Sequence, residues 1–202
     1  MPICLICIIV FVIWLRVKLK QNHSDVSKKN DAFWEREAQA NFARKQDISS
    51  LPYLTVPNDA LPFGTPLDET EEDLQNQVRE CSRRKMLNLS GYSNTDLKEK
   101  YGPTNLEELS ACDQNFLSFI RALNNWGKYL YEQEEYDRSR QIMEYSLSIG
   151  SDISSVFVTL GNIYAREQQL EEVDKLITLV QNSDISLKDS VIRQLRLCKL
   201  EY

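Results

Sequence analysis

The chain has 202 residues, of which 24 are basic, 30 acidic and one a histidine, for a formal charge of −6. That length leaves room for one compact domain of modest size once an apolar start and its linker are set aside. The first thirty residues hold Arg16, Lys18, Lys20, Lys28 and Lys29 against Asp25 alone, so the body that follows is acidic. An acidic body without a dense basic stripe excludes a nucleic-acid partner, because phosphate binding rests on clustered Lys and Arg.

Residues Ile3 to Leu15 (ICLICIIVFVIWL) are uninterrupted in apolarity, and Arg16, Lys18 and Lys20 follow. At 1.5 Å per residue Met1 to Val17 covers about 26 Å against a hydrocarbon core of about 30 Å, so Arg16 and Lys18 snorkel or the bilayer thins. Basic residues come after the apolar run and no small-residue cleavage pattern follows, which speaks against a signal peptide. The reading is a transmembrane anchor over 1–20 at the cell membrane, single-pass. With charge only on its C-terminal side, the N-terminus lies outside and the rest of the chain is cytoplasmic. Five scattered cysteines, two of them (Cys4 and Cys7) inside the apolar run, make neither a disulfide framework nor a metal site.

Beyond a polar hinge at Gln21 to Lys29, Asn30 and Asp31 cap a short helix reaching about Lys45, with Phe33, Trp34, Ala38 and Phe42 along one side. It is an interfacial helix or one packed on the main domain. Four prolines among hydrophobes (LPYLTVPNDALPFGTP) then read as a linker able to lie along a groove, which closes the juxtamembrane section 21–66. From 67 to 202 a single helical domain is expected. A helix starts at Thr70, with Glu71, Glu72 and Asp73 favouring its dipole and Leu74, Val78, Cys81 and Leu87 on its buried side, and ends at Gly91. Arg83, Arg84 and Lys85 are its solvated face. A short helix from Thr95 to Tyr101 stops at Gly102-Pro103, and Thr104-x-x-Glu107 reads as a capping box opening a helix with Leu106, Leu109, Phe116, Phe119, Ile120 and Leu123.

The C-terminal half falls on itself when Trp126-Gly127 is laid on Leu160-Gly161, a shift that also puts Leu130 on Tyr164, Tyr136 on Leu170 and Met143 on Ile177. A period of about 34 residues means paired antiparallel helices. The pairs fall at about 120–153 and 154–187, with Gly127 and Gly161 at close crossings between paired helices and a capping helix over 187–200 whose Val191, Ile192, Leu195, Cys198 and Leu200 cover the last exposed face. The segments NWGKYLYEQEEYDRSRQIMEYSLSI and TLGNIYAREQQLEEVDKLITLV resemble the tetratricopeptide repeat family. NLSGYSNTDLKEKYG is similar to stretches of uncharacterised bacterial membrane-anchored repeat proteins. The expected fold class is all-α, a transmembrane helix followed by antiparallel hairpins of tetratricopeptide-like solenoid type.

The resemblance implies that the first helix of each hairpin lines a concave face, carrying Arg121, Asn124, Lys128, Tyr131, Asn162, Arg166 and Arg196. Some family members hold a peptide carboxylate with Lys and Asn there; Asn162 and Arg196 stand at matching positions, while Asn124, Lys128 and Ile192 depart from the pattern. The implied partner is a protein or peptide. No phosphate loop, nucleophile elbow or metal cluster stands in the chain, and His23 lies in the hinge, so neither an enzyme nor a cofactor is expected. The function read from the sequence is a membrane-anchored cytoplasmic adaptor binding its partner in that groove. The alternative is a bitopic structural subunit of a membrane assembly, with contacts made by the anchor and the juxtamembrane helix.

Overall fold

The computed structural model describes residues 11, 14–16, 18, 30–183 and 185–201, which are helical apart from turns, extended connections and one isolated antiparallel bridge between Leu54 and Met86. The all-α expectation holds for these residues. No helix among them is long and apolar enough to cross a membrane, and the anchor expected over 1–20 lies largely outside them, as does the hinge 21–29. Two compact units form, one from Met1–Ser50 with Gly91–Glu107, the other from Leu51–Ser90 with Glu108–Tyr202. The boundary expected at 66/67 falls inside the second unit. Its cause is the proline-rich strap 51–66, which buries Leu61 and packs Leu54, Val56 and Phe63 onto the core of that unit. Proline forbids a helix there without keeping the interleaved hydrophobes out of a core.

In the first unit, residues 30–40 form helix α1. Its inward side is pinned to α3 (Asn94–Tyr101): Arg36 donates to Asp96 (2.6 Å) and to Glu99 (2.8 Å), and Glu37 accepts from Thr95 Oγ1 (2.6 Å) and pairs with Lys98. Ser93 caps α3 in a capping box, its Oγ accepting from the Asp96 N–H while Asp96 Oδ2 accepts from the Ser93 N–H at 2.8 Å. The Ser93 hydroxyl and then the Arg36 guanidinium hold the Asp96 carboxyl well below the usual carboxylate range. Gly102 ends α3 at φ 87°. A 3-10 turn over Pro103–Asn105 follows, and Asn105, buried, donates through Nδ2 to Tyr101 O (2.7 Å) and Gln46 O (2.8 Å). The next helix, α4, therefore starts at Leu106 and not at a Thr104 cap.

In the second unit, α2 (Glu69–Ser82) is capped by Asp68, so it begins one position before the expected Thr70, and it stops well short of Gly91. Residues 85–89 leave the helix because their backbone serves other partners. Met86 O accepts from Leu54 N (2.9 Å), Leu87 N donates to Cys112 O (3.2 Å), and Leu89 N donates to Asp113 (3.0 Å), while Met86, Leu87 and Leu89 bury their side chains. Lys85 belongs to this connection and lies over the Tyr53 ring at 4.1 Å.

Helix α4 (Leu106–Glu132) runs unbroken through the expected hairpin start near 120, since its apolar stripe of Leu109, Cys112, Phe116, Phe119, Leu123, Trp126 and Leu130 continues without Pro and meets no break. Helices α5 (Tyr136–Ser148), α6 (Ser154–Arg166), α7 (Leu170–Gln181) and α8 (Lys188–Glu201) follow. The repeat is present in the backbone itself: α5 and α7 start one period apart, as do α6 and α8, and α4 and α6 end one period apart. Both turns close alike, with Glu134 and Gln168 at positive φ, Glu135 N donating to Leu130 O (2.9 Å) and Gln169 N to Tyr164 O (2.8 Å).

The two small residues behave differently. Gly127 lets α5 approach, its carbonyl accepting from buried Ser139 Oγ (2.7 Å) and its missing Cβ leaving space that Met143 Cε fills. Gly161 instead receives Leu195 of α8, not a residue of its paired helix α7, which corrects the expected crossing. Leu195 is fully buried, so Gly161→Ala is expected to cost about 1–3 kcal/mol by overpacking. Urea denaturation checks it; Gly161→Ala combined with Leu195→Ala should be less destabilising than the two single losses added. Of the capping-helix residues, Val191, Leu195 and Cys198 are buried, whereas Leu200 is 81% exposed and faces out. Cys81, Cys112 and Cys198 are buried.

Candidate functional site

The seven residues expected on the groove separate into three kinds by what their side chains do, all in the second unit. Tyr131 and Arg166 join through a third residue: the Arg166 guanidinium lies 4.2 Å from the centroid of the Tyr136 ring and donates to its hydroxyl (2.9 Å), and the Tyr131 ring stands edge-on to Tyr136 at 5.6 Å. This cluster comes from the end of α4, the start of α5 and the end of α6, where the repeat brings successive turns together. It offers aromatic faces and a cation at one place. Tyr136 was legible only as a repeat position; the signal for its contact role is an aromatic at the first residue of a second helix.

Asn124 and Asn162 are half-buried and act between helices. Asn124 Oδ1 accepts from Ser155 Oγ (2.7 Å), tying α4 to α6, and Asn162 Oδ1 accepts from the Cys198 thiol, tying α6 to α8. Arg121, Lys128 and Arg196 are exposed. Lys128, Asn162 and Arg196 stand one repeat apart, at the same register of three successive first helices. Lys128 sits 3.7 Å from Glu132, an exposed pairing one turn away that costs little to exchange for a ligand carboxylate. Arg196 opens onto a cleft of about 660 Å³ with Arg193, Ile192, Leu197 and Gln181.

A denser polar cluster lies where the sequence suggested only a favourable first turn. Glu71 is fully buried: its Oε1 accepts from Gln75 Nε2 (2.9 Å), Trp126 Nε1 (3.1 Å) and Arg138, and its Oε2 accepts from Leu67 N (2.8 Å) and Arg138 Nη1 (3.3 Å). Burial pushes the Glu71 carboxyl up, and the donors, Arg138 foremost, outweigh it and leave the group below its ordinary value. Beside it Tyr129 OH donates to Asp68 (2.6 Å), which lowers Asp68 and pushes Tyr129 up to about 12. Phe63 of the strap stacks on Trp126 at 5.1 Å, and the Arg79 guanidinium lies over the Phe63 ring at 4.6 Å. Every acceptor site of Glu71 is engaged, so the group is a structural hub with no lone pair left for a substrate. The glutamate at the third helical position was visible in the sequence; its partner Arg138, on a helix far along the chain, carried no signal there.

Among the described residues no group of three or more His, Cys, Asp or Glu side chains converges as a metal site. No protein-family model, curated protein sequence or solved structure matches this chain.

Proposed function

We propose that this chain is a membrane-anchored, non-enzymatic adaptor whose tetratricopeptide-like hairpins take an extended acidic segment of a partner protein along the face bearing Arg121, Lys128, Arg166 and Arg196. The observation that carries it is the regular repetition of helix starts and turn hydrogen bonds, since stacked hairpins of this period build extended surfaces suited to peptide binding. The tetratricopeptide reading has further support in the approach of α5 to Gly127 and in the matching turns. Three exposed cations and the Tyr131–Tyr136–Arg166 cluster on an otherwise acidic body favour an acidic ligand. The anchor over 1–20, with the domain in the cytoplasm, belongs to the same proposal and rests on the apolar run and its trailing basic residues.

The test is affinity capture of the detergent-solubilised full-length protein, with any retained partner mapped to a peptide and titrated. Lys128→Glu with Arg196→Glu is expected to weaken that binding roughly tenfold or more, as two exposed charge pairs at up to about 1 kcal/mol each would allow. Unaltered affinity overturns the groove. The second reading, a bitopic structural subunit contacting its assembly through the anchor and α1, draws on the exposure of Phe33, Trp34 and Phe42. It is favoured where the charge-reversed protein keeps its partner and a variant at those aromatics loses it.

A further inference from the structure

Helix α1 is held through Arg36, Glu37 and Ala40, while Phe33 at its first turn is 51% exposed, Trp34 65% and Phe42, just past the helix end, 89%. Phe33 and Trp34 pack edge to face at 5.4 Å, so the rings form one apolar projection and not scattered single residues. Arg44 and Lys45 follow and are exposed, while Asp31 and Glu35 on the helix offset them, which leaves the rings as the main contact.

What covers these rings is set by where the chain comes from. The apolar run ends at Leu15 and its basic flank at Lys20; the ten steps from there to Asn30 reach no further than about 36 Å. Any bilayer holding residues 1–20 therefore lies within reach of α1. Trp and Phe on a short helix with flanking Lys and Arg partition to the headgroup boundary, where a ring is half apolar and half wet.

We propose that Phe33, Trp34 and Phe42 are a docking surface for the bilayer interface, laying the first unit on the membrane to which residues 1–20 anchor the chain. The inference rests on that anchor and is separable from it, because Trp14 lies in the anchor and Trp34 in the docking surface, while Trp126 is fully buried beneath Phe63.

Full-length protein is reconstituted into phosphatidylcholine vesicles containing phosphatidylglycerol, with acyl chains brominated either near the carbonyl end or at mid-chain. Quenching at mid-chain in the wild type that disappears in Trp14→Phe reports the anchor. With Trp14→Phe, carbonyl-end bromines are expected to lower tryptophan emission, and that loss should vanish in Trp14→Phe/Trp34→Phe and shrink in Trp14→Phe/Phe33→Ser/Phe42→Ser. A Trp14→Phe protein that floats with the vesicles but is not quenched near the carbonyl end overturns the docking surface and leaves the anchor standing. Protein that neither floats nor is quenched at mid-chain overturns both.

Discussion

Glu71→Ala is expected to destabilise the second unit by about 3–5 kcal/mol, because it leaves Arg138 charged and without its buried partner. Three further donors lose their acceptor at the same time: Gln75 Nε2, Trp126 Nε1 and the Leu67 N–H. Urea denaturation followed by far-ultraviolet circular dichroism measures it; a loss under about 1 kcal/mol would mean that the pair is replaceable by water. Removing both charges together, Glu71→Met with Arg138→Leu, should cost less than Glu71→Ala alone, since the penalty lies in the orphaned charge more than in the absent attraction.

The same carboxylate gives the fold an acid limit. Its pKa is lowered in the folded state from an ordinary 4.5, with burial opposing and the hydrogen bonds from Arg138, Leu67, Gln75 and Trp126 prevailing. A depressed carboxylate contributes stability that is present above the unfolded value and lost as pH falls through the folded one. The stability gap between wild type and Glu71→Gln should therefore be widest near neutral pH and close progressively below about pH 4.5. A gap independent of pH across that range would assign the loss to packing.

Gly102→Ala is expected to cost about 3 kcal/mol or more in the first unit, from two causes that add. At φ 87° and ψ 147° the backbone lies where essentially only glycine is comfortable, worth about 1–3 kcal/mol. A Cβ there would also sit 2.8 Å from Arg44 O and from Lys45 Cα, backbone atoms that cannot swing aside. Gly91, also at φ 87° but with nothing within 4 Å of its Cβ position, carries a positive-φ cost without the clash, and Gly91→Ala should cost only about 1–2 kcal/mol. Equal losses at the two positions would show that the approach of residues 44 and 45 is slack. Thermal melts of both variants decide it.

The helices were legible wherever periodicity and punctuation agree. α3 ends where Gly102-Pro103 said it would, the C-terminal helices keep the repeat period, and of the stripe expected on the capping helix Val191, Leu195 and Cys198 bury while Leu200 does not. Local signals failed where a backbone had a distant use. Residues 85–89 carry helix-compatible side chains, yet Met86 and Leu87 pair with Leu54 and Cys112, contacts between segments well separated along the chain. The seven residues expected on a groove lie on α4, α6 and α8, whereas the sequence could not tell that Asn124 and Asn162 bond to neighbouring helices or that Arg166 lies on Tyr136.

What the sequence determined by itself is what short-range physics controls: an apolar run with a basic flank, all-helical character, the end of α3 at Gly102-Pro103, and a repeat read from the spacing of large and small residues. Only the tertiary structure decided that the proline-rich strap is core, that Gly161 receives α8, that residues 30–50 share a unit with Gly91–Glu107, and that one glutamate in an acidic first turn is a buried hub. Each of these depends on which distant segments meet, and a pattern of hydrophobic spacing states that a face is buried without stating against what.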